Sequence, residues 1–229
     1  MNFSVFKFKI IYMGLIDLMF SNLPVFIAYL LSIIYGITIH EFSHCYSAYK
    51  FGDTSQIDSK RLSLNPLRHI DPIGLLTLVA FGIGWGKTSI IDPSKIDHKR
   101  YKLAMFTISI AGIVSNMLSA LFFAFILKMA MVFNFLQPQG LGVVFLVIMI
   151  QTNILLAVFN LIPIHPLDGA KILDILLPSR FDKLKIILAQ YGNTILITIL
   201  ALSMISNVSV FSYLYNPVIS FVYKLFGLS

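Results

Sequence analysis

Long apolar runs alternate along the chain with short polar segments, and the runs are too extended for half-buried helices or strands of a water-soluble globule. No Asp, Glu, Lys or Arg occurs in Leu18–His40, Pro72–Gly86, Leu103–Leu127, Met129–Leu167 or Ile186–Tyr223. A helix that crosses the roughly 30 Å hydrocarbon core of a bilayer needs about 20 mostly apolar residues. Four of the five runs meet that length. Gln137-Pro138-Gln139-Gly140 divides the fourth run into two spans, and Asn207 and Asn216-Pro217 divide the last. The stretch Phe3–Phe20 adds a span at the start. The expected fold is an all-α polytopic membrane protein with about six transmembrane helices. Pro72–Gly86 is the outlier, because it is short and holds Gly74, Gly82, Gly84 and Gly86. It predicts a re-entrant or strand-like segment, which a membrane tolerates only where protein covers the backbone. With the alternation at Leu62–Leu64, it predicts a hairpin-like element near 61–90; an ordinary short helix is the alternative.

Composition sharpens this picture. The chain has 229 residues, 58% hydrophobic and 12% charged. Soluble domains average about 45–50% apolar and about 25% charged residues, so polar surface is too scarce here to coat a globule. The pattern excludes a disordered chain and argues against a nucleic-acid binder despite the net charge of +7. Cys45 is the single cysteine, which rules out an intrachain disulfide. One membrane-embedded domain over 1–229 is expected, with its core at about 23–175 and peripheral spans at 1–22 and 186–226. No alanine precedes Ala28, so no small-residue cleavage site follows Lys7 and Lys9, and the first segment is expected to stay attached.

The placement of basic residues sets an orientation, since cytoplasmic loops carry the excess of Lys and Arg. With Lys7 and Lys9 in the cytoplasm, the crossings put segment 50–102, the loop after 163 and Lys224 on the same side. That side then holds sixteen of the seventeen basic residues, leaving only Lys128 near the outer face. The net charge is thus a topology signal, with contact to acidic lipid headgroups as a secondary consequence.

Two places carry chemistry. The first is His40-Glu41-Phe42-Ser43-His44. On a helix, residues four apart share a face, so both imidazoles can hold one zinc, with the intervening glutamate serving as base toward water. Glu41 is the only glutamate in the chain and follows a charge-free run of 23 residues. An ionisable group at membrane depth is costly and points to function. A polar cluster satisfied between helices is the bland alternative. A catalytic zinc takes three protein ligands and leaves a position open. The second place, Asn160-Leu161-Ile162-Pro163-Ile164-His165-Pro166-Leu167-Asp168-Gly169, offers Asp168 as the third ligand and His165 as its rival. Asp168-Gly169 capping the helix Ala170–Leu177 is the structural alternative.

Gly36 through His44, followed by Ala48-Tyr49-Lys50-Phe51-Gly52-Asp53, resembles the first motif of the site-2 protease family of intramembrane zinc metalloproteases. Asn160 through Gly169 resembles its second motif, N-x-x-P-x-x-P-L-D-G. Leu64 through Gly74, Gly84-Trp85-Gly86-Lys87 and Ala111 through Asn116 are similar to its compact bacterial branch, which lacks PDZ and CBS domains. The resemblance spans roughly 35–175. It implies that His40, His44 and Asp168 hold one zinc ion and that Glu41 is the catalytic base. It also implies hydrolysis of a peptide bond within or near the transmembrane segment of a membrane-protein substrate. A multi-pass protein of the bacterial inner membrane follows, with a lipid bilayer and a substrate helix as partners. Two departures stand out: Ile113 replaces a usual proline, and Gly86-Lys87-Thr88 stands where A-K-P is common. The competing class is a non-enzymatic zinc transporter or scaffold, whose site would be closed by a fourth protein ligand, with His165 the candidate.

Asn116 and Asn160 are polar residues in apolar spans, expected either to bond a substrate backbone or to tie helices together. His69 and Asp71 read as a solvated turn or as the lip of the site, and Cys45 reads as packing. The run near 61–90 is expected to offer an edge strand for pairing with an unwound substrate.

Overall fold

The computed structural model describes residues 15–81, 84–206 and 210–228. Within them the chain is helical, with no strand. The elements are α1 (Leu15–Ser21), α2 (Leu23–Lys50), α3 (Ser55–Asp58), α4 (Pro72–Phe81), α5 (Tyr101–Val132), α6 (Leu141–Asn160), α7 (Asp168–Leu176), α8 (Asp182–Ser206) and α9 (Val210–Leu225). Among the described residues, four helices are long and apolar enough to cross a membrane: α2, α5, α6 and α8. The sixteen-residue α9 is shorter than they are. The span expected at Phe3–Phe20 falls mostly outside the described residues; its visible part is α1. The break expected at Asn207 also lies outside them. The break expected at Asn216-Pro217 does not occur, because Pro217 sits inside α9.

Local signals explain the long helices. Asn22 accepts from the Val25 amide at 3.2 Å and caps α2, with Pro24 in its first turn, where a missing N–H costs nothing. Gly52, at φ +108°, turns the chain just after the helix ends. The polar Gln137–Gly140 turn separates α5 from α6, as its sequence requires, and Pro163 follows the end of α6.

α2, α5 and α6 pack against one another as the core of the molecule. Ala120, Ala124 and Leu127 of α5 meet Val143, Leu146, Val147, Ile150 and Ile154 of α6, with Val222 and Tyr223 of α9 closing the cluster. Lipid tails are as apolar as these side chains, so close packing by small residues drives such association. α7 lies on α5 and carries the second motif back to the core.

Segment 61–90 corrects one expectation and keeps another. No edge strand forms among its described residues, and the glycine-rich run begins as helix α4 rather than as strand. The chain then returns extended from Gly84, closed by an isolated antiparallel bridge between Ile70 and Gly86. Helix and return therefore make a hairpin-like excursion. Its limbs touch at glycine: a β-carbon on Gly84 would lie 2.3 Å from the Gly74 carbonyl oxygen. The first requirement on Gly84 is therefore packing within the excursion.

His69 and Asp71 serve the same excursion. His69 is fully buried and donates from Nε2 to the Ser63 carbonyl at 2.6 Å, so it is no part of a solvated turn. Asp71 accepts from the amides of Ile73 and Gly74, each at 2.9 Å, at the start of α4.

Candidate active site

His40 and His44 lie one helical turn apart on α2, and α7 begins with Asp168 facing them. The Nε2 atoms of the two histidines are 3.0 Å apart. Asp168 Oδ2 is 3.0 Å from the first and 2.9 Å from the second. All three residues are buried, at 7%, 5% and 5% relative exposure. At a rise of 1.5 Å per residue, His40 lies about 25 Å from the Leu23 end of α2 and about 15 Å from its Lys50 end. A site at that position falls within a span's apolar length, not in a loop.

The outer nitrogens of the imidazoles fix what the inner ones can do. His44 Nδ1 sits 2.6 Å from the Ile108 carbonyl oxygen, which can only accept, so that nitrogen carries the proton. His40 Nδ1 sits 2.7 Å from Asn116 Oδ1. The amide nitrogen of Asn116 donates to the Gly36 carbonyl at 3.1 Å and to Asn153 Oδ1 at 3.0 Å, which fixes the oxygen toward His40. In the neutral imidazoles, both inner nitrogens then present lone pairs to each other and to a carboxylate oxygen. Three converging lone pairs at about 3 Å repel unless a cation lies among them. These are the contacts that orient metal-ligating histidines elsewhere. The donor set of two imidazoles and a carboxylate suits zinc, and the three ligand atoms lie within 4.8 Å of one another.

Charge around Asp168 favours the ionised ligand. Its second oxygen, Oδ1, accepts from Lys171 Nζ at 2.8 Å, one turn along α7. Burial pushes the Asp168 carboxyl up, and the nearby Lys171 charge pulls it down.

Close approach of α5 completes the cradle. A β-carbon on Gly112 would lie 2.5 Å from His40 Cε1 and 2.5 Å from His44 Nε2. Only glycine leaves the imidazoles their room there.

Glu41 is half-buried beside this cluster, and its Oε2 is bound by segment 84–92. Ser89 donates to it from the backbone amide at 3.1 Å and from the hydroxyl at 2.8 Å.

The structure thus brings together His40, His44 and Asp168, with Glu41 adjacent. It does not bring His165 to them. That side chain pairs instead with Asp174, Nε2 to Oδ2 at 3.1 Å. Asp168 is the first residue of α7 rather than its cap, and Leu167 holds the cap position without a side-chain bond. Asn116 is fully buried, with its side chain bonded to His40, the Gly36 carbonyl and Asn153 across three helices. Asn160 donates to the Leu156 carbonyl at 3.0 Å within α6. Sequence reasoning passed over Asn153, Lys171, Gly112 and Ser89. Asn153 and Lys171 had visible signals: an amide in an apolar span, and a basic residue three after the carboxylate. Ser89 had none, because its partner is 48 residues away.

Comparison with known proteins bears on the same residues. The description "Peptidase family M50" matches residues 136–205, a stretch that contains Asp168. The chain is 39% identical over 151 residues to "Putative zinc metalloprotease YwhC" of Bacillus subtilis, covering 65% of this chain and 68% of that protein. It is 28% identical over 189 residues to "Putative zinc metalloprotease Rip2" of Mycolicibacterium smegmatis, covering 79% of this chain and 69% of that one. No solved structure gives a significant match.

Proposed function

This chain belongs to peptidase family M50, a membrane zinc metalloprotease, and on that premise we propose that it hydrolyses a peptide bond within or near the transmembrane segment of a membrane-protein substrate. The observation that carries the reading is the meeting of His40, His44 and Asp168 partway along a membrane-length helix, with Glu41 beside them.

His40, His44 and Asp168 are the ligands in this proposal. Zinc held there would supply a Lewis acid toward the scissile carbonyl and toward the attacking water at neutral pH. Asn116 and the Ile108 carbonyl hold the imidazoles by Nδ1, so that Nε2 keeps its lone pair for the metal. Lys171 occupies Asp168 Oδ1 and leaves Oδ2 as the ligand atom. Glu41 takes a proton from the attacking water at Oε1, the oxygen that Ser89 leaves free, and passes it to the departing amine nitrogen. The substrate enters locally unwound, because a helix keeps its carbonyls engaged. The extended return of residues 84–92, whose Ser89 binds Glu41, serves as its guide.

A closed structural zinc site needs a fourth protein ligand. The engagement of His165 with Asp174 speaks against that alternative. The basic loops 50–102 and 166–190 face the cytoplasm in this reading, the bilayer is the bacterial cell membrane, and the chain acts as one membrane-embedded domain. Co-expression with candidate single-span membrane proteins tests the function. The uncleaved partner accumulates with Glu41→Gln and not with wild type. Equal cleavage by both overturns the proposal.

A further inference from the structure

Ser89 reaches Glu41 from a segment that is tied down at several points. Lys87 donates its amide to the His69 carbonyl at 2.7 Å, and its own carbonyl accepts from Arg61 Nη1 at 2.8 Å. The Ile90 carbonyl accepts from Gln56 Nε2 at 2.8 Å. The Asp92 amide donates to Asp53 Oδ2 at 2.9 Å, and Asp53 is fully buried. Residues on both sides of Ser89 are therefore fixed by groups that do not touch the candidate metal ligands. Between these anchors, both donors of Ser89 converge on a single oxygen of Glu41. Behind it, Cys45 Sγ lies 3.1 Å from Ser89 Oγ. The serine proton is committed to the carboxylate, so the thiol is the donor in that contact. Cys45 follows His44 directly and is fully buried.

We infer that Ser89 is a positioning residue for Glu41: it holds Oε2 with two hydrogen bonds, backed by Cys45, and so aims Oε1 at the attacking water. The inference rests on Glu41 being the base proposed above. A carboxylate can turn about its last torsion, which is broad and roughly two-fold. A general base must lie within hydrogen-bond reach of the proton it takes. Pinning one oxygen restricts that rotation without consuming the other. Hydrogen bonds to a charged acceptor are among the stronger ones in proteins, so the hydroxyl is a substantial part of the restraint.

Glu41 is the only glutamate in the chain, so glutamate labelled with carbon-13 at the side-chain carboxyl reports on this one group. The full-length protein, purified in detergent with zinc, is compared as wild type, Ser89→Ala and Ser89→Thr. Infrared difference spectra read the labelled carboxylate, metal analysis reads zinc, and hydrolysis of a fluorogenic peptide carrying one apolar membrane-length segment, in the same detergent, reads kcat and KM. Ser89→Ala moves the antisymmetric carboxylate stretch upward, because a donor is lost. It lowers kcat about 10- to 100-fold, the range expected for a misaimed reacting group, with KM within about twofold and zinc content unchanged. Ser89→Thr restores both band and kcat. An unmoved band in Ser89→Ala overturns the inference, and so does a moved band with wild-type kcat. Hydrolysis of that peptide by wild type no faster than by Glu41→Gln refutes the hydrolase reading instead, and the labelled band still decides the contact.

Discussion

Replacing Gly112 by alanine places one methyl group into the imidazole pair. Its carbon would stand 2.5 Å from His40 Cε1, 2.5 Å from His44 Nε2 and 2.6 Å from His40 Nδ1. Non-bonded carbons prefer separations of about 3.5–4.0 Å, so the rings or α5 must give way by about 1 Å. The rings cannot swing freely, since Asn116 and the Ile108 carbonyl hold their far sides. Overpacking of this kind costs about 1–3 kcal/mol. If that cost falls on the metal-competent geometry, zinc affinity drops by roughly 5- to 150-fold, because each 1.4 kcal/mol is tenfold. The assay is competitive zinc titration against a chromophoric chelator on the purified protein, with thermal unfolding measured in parallel. Gly142→Ala is the control. A β-carbon there also meets a neighbour closely, at 2.8 Å, but that neighbour is the far end of the Leu136 side chain, which can move. Wild-type zinc affinity in Gly112→Ala would refute the claim that α5 shapes the site by close approach.

Three further outcomes follow from the same geometry. His40→Ala, His44→Ala and Asp168→Asn each strip zinc from the purified protein, whereas His165→Ala retains it; loss in His165→Ala with retention in Asp168→Asn would reverse the choice of third ligand. Burial pushes the Asp53 carboxyl up, but hydrogen bonds from Ser55, the Asp92 amide and Gln56 outweigh it and hold the group below its ordinary value of 3.8. Its stabilisation of segment 87–92 is therefore complete above that value and is lost as pH falls further, toward the folded pKa. Hydrogen exchange reads this as falling amide protection there, and Asp53→Asn is less protected at neutral pH and shows no such dependence. Cysteines placed at the exposed positions Ser59, Ser94 and Gln139, in a Cys45→Ser background, test orientation: an impermeant reagent labels only the third in intact cells, and the reverse pattern inverts the topology.

The long helices were legible because a charge-free run of membrane length has few alternatives, and α2, α5 and α6 lie where such runs stand. The pairing of His40 with His44 was legible for a similar reason, since helical periodicity alone puts residues four apart on one face. The third ligand was less so. Pattern left His165 and Asp168 both open, and the packing of α7 on α5 brings the carboxylate to the histidines while His165 turns to Asp174. Segment 61–90 was legible only as something irregular. Its glycines signalled close approach but not between which parts, and the Gly74–Gly84 contact belongs to tertiary structure. Asn116 illustrates the same limit. A buried amide in an apolar span announces a hydrogen bond without naming its partner, and the partner proved to be a histidine 76 residues away.

The central claim is that this site cuts a peptide bond at membrane depth, with Glu41 as its base. Its most direct test is mass-spectrometric mapping of the new termini in a single-span partner cleaved by the purified, zinc-loaded protein in lipid vesicles, beside the Glu41→Gln variant. The cut is predicted to fall inside the partner's apolar segment or within a few residues of it, and to be absent with Glu41→Gln although zinc stays bound. A cut confined to the partner's water-soluble part, or one that persists in the variant, would contradict the account.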